Sequence, residues 1–368
     1  MTPLRTVQVL GGGSAGSSAH VRSLAAGLVA RGVRVTVCAP AELDRLHDYG
    51  DAGAHHVPVP RRSDPAALAA LRAACAGADV VHAHGLHAAV RTALALGGLR
   101  IPLVVTWHTR AHTEGARGRL LRLAERRAVR AAAVVLGVSS ELVDRARSRG
   151  ARDARLAPVA LPAPLPASDA ADAPDASDNK ARAELGAVER PLLMAVGSLV
   201  PGQGYDTLLD AAAVWRRLDP MPLLTIAGEG RERARLQRRI EAEELPVQLL
   251  GRRDDLPALL AAADIAVLAG RWEARSVLAQ EALRLGVPLV ATAVGAVPEL
   301  VGGAAELVPY GDVAALSDAV IRLLADPERR RALAAAGRAQ ASTWPTEDQT
   351  IAQILSVYDE LCQTRRPR

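Results

Sequence analysis

The chain has 368 residues, 49% of them hydrophobic and 23% charged, which makes about two domains at roughly 150 residues each and excludes both a lone small module and a disordered polypeptide. Its formal charge is +5, but aromatic residues make up only 2% with no Phe, so anionic small molecules or surfaces are expected as partners and nucleic acid is not. Only Lys180 among the 45 basic residues is a lysine, a drift towards Arg that carries no functional message of its own.

Residues 6–10 are an apolar run that ends on Gly11, Gly12 and Gly13, and an amphipathic stretch over 20–31 follows; the spacing predicts a strand, a glycine loop and a helix. Gly32 reads as the helix cap and residues 33–38 as the next strand. Apolar runs at 79–82, 103–107 and 132–138, separated by Ala/Leu/Arg helices, continue the alternation and predict a parallel, doubly wound sheet. Residues 161–180 collapse into Pro, Ala and Asp and read as an extended linker. A second series then runs through 192–196, 223–227, 247–250, 265–268, 289–291 and 305–308. The fold class expected is α/β with two Rossmann-like doubly wound domains, over 1–160 and 181–343, and a last helix within 344–368 that crosses to either one. No apolar run approaches the ~18 residues of a membrane span, and residues 1–10 lack a charged start followed by a long apolar core, so a cytoplasmic location is expected. Cys38, Cys75 and Cys362 are odd in number and without paired spacing, which suits reduced thiols.

In such sheets ligands meet the loops beyond the carboxyl ends of the strands, where amides and helix N-termini attract phosphate. The segment GGGSAGSSAH suits a plain glycine turn as well as a phosphate loop. The second strand ends on Cys38, Ala39 and Pro40 with no acid to hold a dinucleotide ribose, which argues against a dinucleotide oxidoreductase. In the second half, Glu273 and Glu281 flank a strand-to-helix turn, with Ser276 placed to cap the helix and leave its first amides aimed at an anion. Glu281 sits among Ala279, Ala282 and Leu283, unlike an ordinary solvated charge. All nine histidines precede Thr113; His82, His84 and His87, or His108 and His112, gain no carboxylate or Cys at ligand spacing, so hydrogen-bonding histidines are expected and metal is not. Residues 115–130 predict a helix with Arg119, Arg122, Arg126 and Arg130 on a solvated face and Leu120, Leu121, Ala124 and Ala128 on a core-facing one, with docking on an anionic membrane as the second reading.

Over nearly its whole length the chain resembles the family 4 type of retaining glycosyltransferases with the GT-B fold. The resemblance is carried, in order, by the glycine loop and His-Val helix over 16–21, the DVVHAH strand end over 79–84, the strand ending in a histidine over 104–109, the E-x7-E signature from Glu273 to Glu281, the Gly286 to Pro288 turn and the Gly295 to Glu299 segment. It implies two Rossmann-like domains facing a central cleft, with a nucleotide diphosphate sugar as co-substrate and no further cofactor or metal. By the same resemblance Glu281 would hold the nucleotide ribose and Glu273 the sugar, and the turn Ala274, Arg275, Ser276, Val277 and Leu278 would meet the diphosphate. Gly251 and Arg252 would border the base, and His108 would face the reacting sugar. Gly16 joins the donor side, while His20, His84 and Arg110 fall to the acceptor, a small molecule or a lipid; a lipid would bring peripheral contact with the inner face of a membrane.

The chain departs from the family where Gly-Arg-Leu and Lys-Gly are usual. It carries Ser198 and Gln203 there, which keep hydrogen bonding and lose both charges. Arg271, Arg275, Arg252 and Arg253 are the candidates to stabilise the leaving diphosphate instead. The implied function is therefore sugar transfer from a nucleotide diphosphate sugar to a hydroxyl, and the alternative is a catalytically impaired relative that binds a nucleotide, a sugar or a partner protein.

Overall fold

Val-, Leu- and Ala-rich runs of four to six residues, buried on both faces, are what a parallel sheet covered by helices requires. The computed structural model describes residues 3–12, 15–62, 64–110, 115–160 and 180–363. Gly13, His112 and the expected linker up to residue 179 lie outside the described residues. The chain divides into two compact units, residues 1–163 with 345–368, and residues 164–344.

Unit 1 alternates β1 (Arg5–Leu10), α1 (Ala15–Ala30), β2 (Arg34–Ala39), α2 (Ala41–His47), β3 (His55–Pro58), α3 (Pro65–Cys75), β4 (Val80–His84), α4 (Leu86–Ala95), β5 (Leu103–Trp107), α5 (Gly115–Ala131), β6 (Val134–Gly137), α6 (Ser140–Ser148) and β7 (Ala154–Leu156). Its seven described strands pair in parallel in the order β3-β2-β1-β4-β5-β6-β7. The order reverses between β1 and β4, so the loops after those two strands diverge and open a crevice at their carboxyl ends.

Unit 2 opens with a helical turn over residues 180–184, α7. It continues with β8 (Leu192–Val196), α8 (Tyr205–Trp215), β9 (Leu223–Ala227), α9 (Arg233–Ala242), β10 (Val247–Gly251), α10 (Leu256–Ala261), β11 (Ile265–Leu268), α11 (Val277–Leu285), β12 (Leu289–Thr292), α12 (Val297–Val301), β13 (Glu306–Val308), α13 (Val313–Ala325) and α14 (Pro327–Ser342). Its sheet is again parallel, in the order β10-β9-β8-β11-β12-β13, with the reversal between β8 and β11. Two apolar clusters, one on each face, hold it: Leu193, Leu208, Trp215 and Ile226 on one side, Met194, Leu260, Leu278 and Leu283 on the other.

The last helix, α15 (Glu347–Gln363), returns to unit 1. Ile351, Ile354, Val357 and Tyr358 share one buried cluster with Leu24 and Leu28 of α1. A Cβ at Gly27 would stand 2.1 Å from Cδ1 of Ile351, so the absence of a side chain there lets the two helices approach. Arg155 binds Glu360 through both carboxylate oxygens at 2.8 and 2.9 Å and ties the helix to β7.

Two features differ from the sequence expectation. The short strands β3 and β7, four and three residues long, carry no apolar run and exist because β2 and β6 present open edges to them. On α5, Leu120 is 67% exposed, not core-facing. The inward face is set by Glu125, buried and bound by Arg145 at 2.6 Å and Arg149 at 2.7 Å from α6, which turns Leu120 and Leu123 outward among the arginines. Among the described residues no helix is long and apolar enough to cross a membrane.

Candidate functional site

In unit 2 the loops after β8, β11 and β12 are bound to one another, and Glu273 sits where they meet. The Arg271 amide donates to the Gly202 carbonyl at 2.8 Å, which joins the loop after β11 to the loop after β8. Gly204, at φ 75°, makes the approach possible: a Cβ there would lie 1.9 Å from the Ala269 carbonyl oxygen. From the third loop, the Ala296 amide donates to the Glu273 carbonyl at 2.8 Å and the Thr292 hydroxyl to the Gly270 carbonyl at 2.7 Å.

With its backbone fixed in this way, the Glu273 side chain is largely withdrawn from water and takes a hydrogen bond from Gln203. Burial raises its pKa from 4.5 to about 7, and the Gln203 contact only partly offsets this, because a neutral amide compensates a carboxylate less than a cation does. Gln203 thus occupies one end of the carboxylate that the sequence reading assigned to the sugar. Ser198 is exposed on the same loop.

Ser276 caps α11, its hydroxyl accepting from the Ala279 amide at 3.4 Å. The amides of Val277 and Leu278 are the first two of α11 and have no helical carbonyl one turn back, so the helix end presents two donors and the positive pole of its dipole. Farther along, Glu281 has only 14% of its side chain exposed. Its Oε1 lies 3.4 Å from Arg284, and its Oε2 is buried with no partner in the described structure. Desolvation raises its pKa and Arg284 pulls the other way. A half-satisfied buried carboxylate costs stability, and a ligand carrying hydroxyl donors would remove that cost.

The arginines divide. Arg275 donates to Oε1 of Gln280 at 3.0 Å and lies 5.6 Å from the centre of the Trp344 ring; burial lowers its pKa to about 10. Arg271 is exposed between the bridged loops. Arg252 lies 3.6 Å from Asp254 and Arg253 2.5 Å from Asp255, at the end of β10. Gly251, where a Cβ would stand 2.9 Å from Glu229 Oε1, borders that end.

In unit 1 the predicted histidines converge at the carboxyl ends of β4 and β5. The rings of His20, His84 and His108 lie 5.5 to 5.8 Å apart, centre to centre. Gly16 lies one turn before His20 on α1. Burial lowers the pKa of His108 to about 4 and holds those of His20 and His84 well below the usual imidazole value, so all three are neutral near pH 7. Among the described residues no three His, Cys, Asp or Glu side chains are placed to hold a metal ion. Arg110 turns to α6, its Nη1 donating to Glu141 at 2.9 Å. Sequence reasoning missed Gln8 and Tyr358, which hydrogen-bond each other beneath these rings; the only trace of Tyr358 was its place on the apolar face of the last helix.

Residues 177–340 match the family model described as glycosyl transferases group 1, and residues 15–162 match the glycosyl transferase 4-like domain. The chain is 32% identical to the alpha-D-kanosaminyltransferase of Streptomyces kanamyceticus over 64% of each chain. It is 35% identical to a GDP-mannose-dependent monoacylated alpha-(1-6)-phosphatidylinositol monomannoside mannosyltransferase of Corynebacterium glutamicum, over 45% of this chain and 47% of that one. It thus spans about half to two thirds of the length of these curated relatives. Anabaena Alr3699/HepE in complex with UDP and glucose shares the fold, with a TM-score of 0.81 and 20% identity over 97% of this chain and all of that one.

Proposed function

The chain belongs to the family 4 type of glycosyltransferases with the GT-B fold, and from that premise we propose that it moves a sugar from a nucleotide diphosphate sugar to a hydroxyl acceptor with retention at the anomeric carbon. The observation that carries this reading is the buried, unpartnered Oε2 of Glu281 on the helix whose N-terminus follows β11 at the strand-order reversal. A ribose supplies two hydroxyl donors for that carboxylate, and the diphosphate suits the amides of Val277 and Leu278. The structural relative in complex with UDP and glucose supports a nucleotide and a sugar as ligands.

Unit 2 takes the donor and unit 1 the acceptor. Glu273 binds sugar hydroxyls and His108 faces the reacting carbon. The α11 amides stabilise the departing diphosphate, with Arg271 and Arg275 as the cations of the same loop and no metal included. The relative named for a phosphatidylinositol monomannoside supports a lipid acceptor, while the kanosaminyltransferase is named only for the sugar it moves and leaves a small-molecule acceptor open. For a lipid acceptor, Leu120 and Leu123, 67% and 59% exposed between Arg119, Arg122 and Arg126, give unit 1 a face for anionic headgroups at the inner side of a membrane.

The test is a panel of UDP-, GDP-, ADP- and TDP-sugars read out by hydrolysis and transfer. Turnover of at least one donor supports the reading. Binding of a donor without turnover, in parent and in an Arg271→Lys control alike, favours the catalytically impaired alternative.

A further inference from the structure

A line of hydrogen bonds, buried up to its half-buried last link, runs through unit 1 and ends on His108. Nε2 of His108 lies 3.3 Å from Nδ1 of His84, and Nε2 of His84 lies 3.0 Å from Oε1 of Gln8. The Gln8 amide nitrogen donates to the Tyr358 hydroxyl at 3.0 Å, with the Thr6 hydroxyl a second acceptor at 3.4 Å. Tyr358 in turn lies 2.7 Å from Nδ1 of His82, whose Nε2 stands 2.6 Å from the Thr106 hydroxyl.

The direction of each proton follows from what each atom can do. A carbonyl oxygen only accepts, so His84 carries its proton on Nε2 to meet Gln8 Oε1. A neutral imidazole has one N–H, so Nδ1 of His84 accepts, and His108 is the donor across the 3.3 Å contact. At the far end Tyr358 accepts from Gln8 and therefore donates to His82, which passes its own proton to Thr106. The rings are neutral because burial holds His82 at about 3, His108 at about 4 and His84 well below its ordinary value.

We propose that Tyr358, Gln8 and His84 are positioning residues that hold His108 in the tautomer protonated on Nε2, so that Nδ1 meets the substrate only as a hydrogen-bond acceptor for a sugar hydroxyl. This rests on the reading above that His108 faces the reacting sugar. It adds that the chain's last helix, through one hydroxyl, sets the hydrogen-bonding polarity of that histidine. Losing Tyr358 leaves Gln8 free to turn its amide, and a turned amide reverses every proton between Gln8 and His108.

The experiment is long-range ¹⁵N–¹H NMR of the histidine rings in the full chain, with single-turnover transfer from the best donor of the panel. In the parent, His108 should be protonated on Nε2 and bare on Nδ1 from pH 6 to 8. Tyr358→Phe keeps the ring that packs α15 and removes the hydroxyl. Gln8→Met, of similar length, cuts the line at a second point should the first variant fold poorly. Either variant, checked for an intact Tm, should show His108 averaged between tautomers. Its turnover should fall roughly tenfold with donor KM little changed, the lower end of what losing a supporting partner of a functional histidine costs. A parent His108 protonated on Nδ1, or an unchanged Nε2–H tautomer in both variants, overturns the proposal. If the parent transfers no sugar, the NMR result still decides the hydrogen-bond line, and the loss falls on the catalytic reading alone.

Discussion

Replacing Glu273 with Gln removes a carboxylate that the fold keeps largely out of water, and the consequence can be worked as a pH dependence. The folded state holds its proton up to about pH 7, whereas the unfolded chain releases it near 4.5. Between those values the native state binds more protons than the unfolded one, so stability falls as pH rises. Above pH 7 the full cost is present, at most about 3.5 kcal/mol at roughly 1.4 kcal/mol per pH unit, and less because the carboxylate keeps some contact with water. Glu273→Gln lacks this term and keeps the shape. Its stability relative to the parent should therefore be near equal at pH 4.5 and should grow by about 1–3 kcal/mol by pH 8. Denaturant unfolding at several pH values, followed by tryptophan fluorescence, suits the question because Trp215, Trp272 and Trp344 all lie in unit 2. A difference between parent and variant that stays flat from pH 4.5 to 8 would show that Glu273 is not desolvated and would refute the reasoning.

Gln203→Lys should place a cation beside Glu273 and bring the carboxyl pKa back below 7, read by carboxyl ¹³C titration; an unmoved pKa would mean that the two side chains do not meet in solution. Gly204→Ala should cost on the order of 3 kcal/mol, because the left-handed backbone and a Cβ placed 1.9 Å from the Ala269 carbonyl oxygen act together; a Tm within a degree of the parent would contradict it.

Much of the fold could be read from the sequence, for a physical reason. Strands buried on both faces, such as Leu103–Trp107, Leu192–Val196 and Leu223–Ala227, are apolar runs broken at most by one Thr, and their limits follow directly from those runs. The edge strands His55–Pro58 and Ala154–Leu156 carry no such signal, since neighbouring strands supply the reason for their shape. The facing of α5 was hidden for a similar reason: Glu125 points inward only because Arg145 and Arg149 of another helix meet it there.

The site divides along the same line. The spacing of Glu273 and Glu281 around a capped helix start is a local pattern that sequence displays. Contacts between distant residues are not: Gln203 reaches Glu273 from another loop, and Gln8 meets Tyr358 from the opposite end of the chain. Arg275 shows the converse. A cation beside a phosphate-binding turn reads as a ligand, and the structure gives it Gln280 and the Trp344 ring as companions.

Calorimetric titration of the parent and of Glu281→Ala with the nucleotide diphosphate sugar panel tests the central claim most directly. Two hydrogen bonds from ribose hydroxyls to a carboxylate are worth about 1.5–3 kcal/mol each, so Glu281→Ala should bind the preferred donor roughly a hundredfold more weakly or worse. Its folding should be unharmed, because the variant loses a buried oxygen that has no partner in the described structure. Equal affinity of parent and variant for that donor, or no binding of any donor by the parent, would contradict the assignment of a nucleotide-sugar site to unit 2.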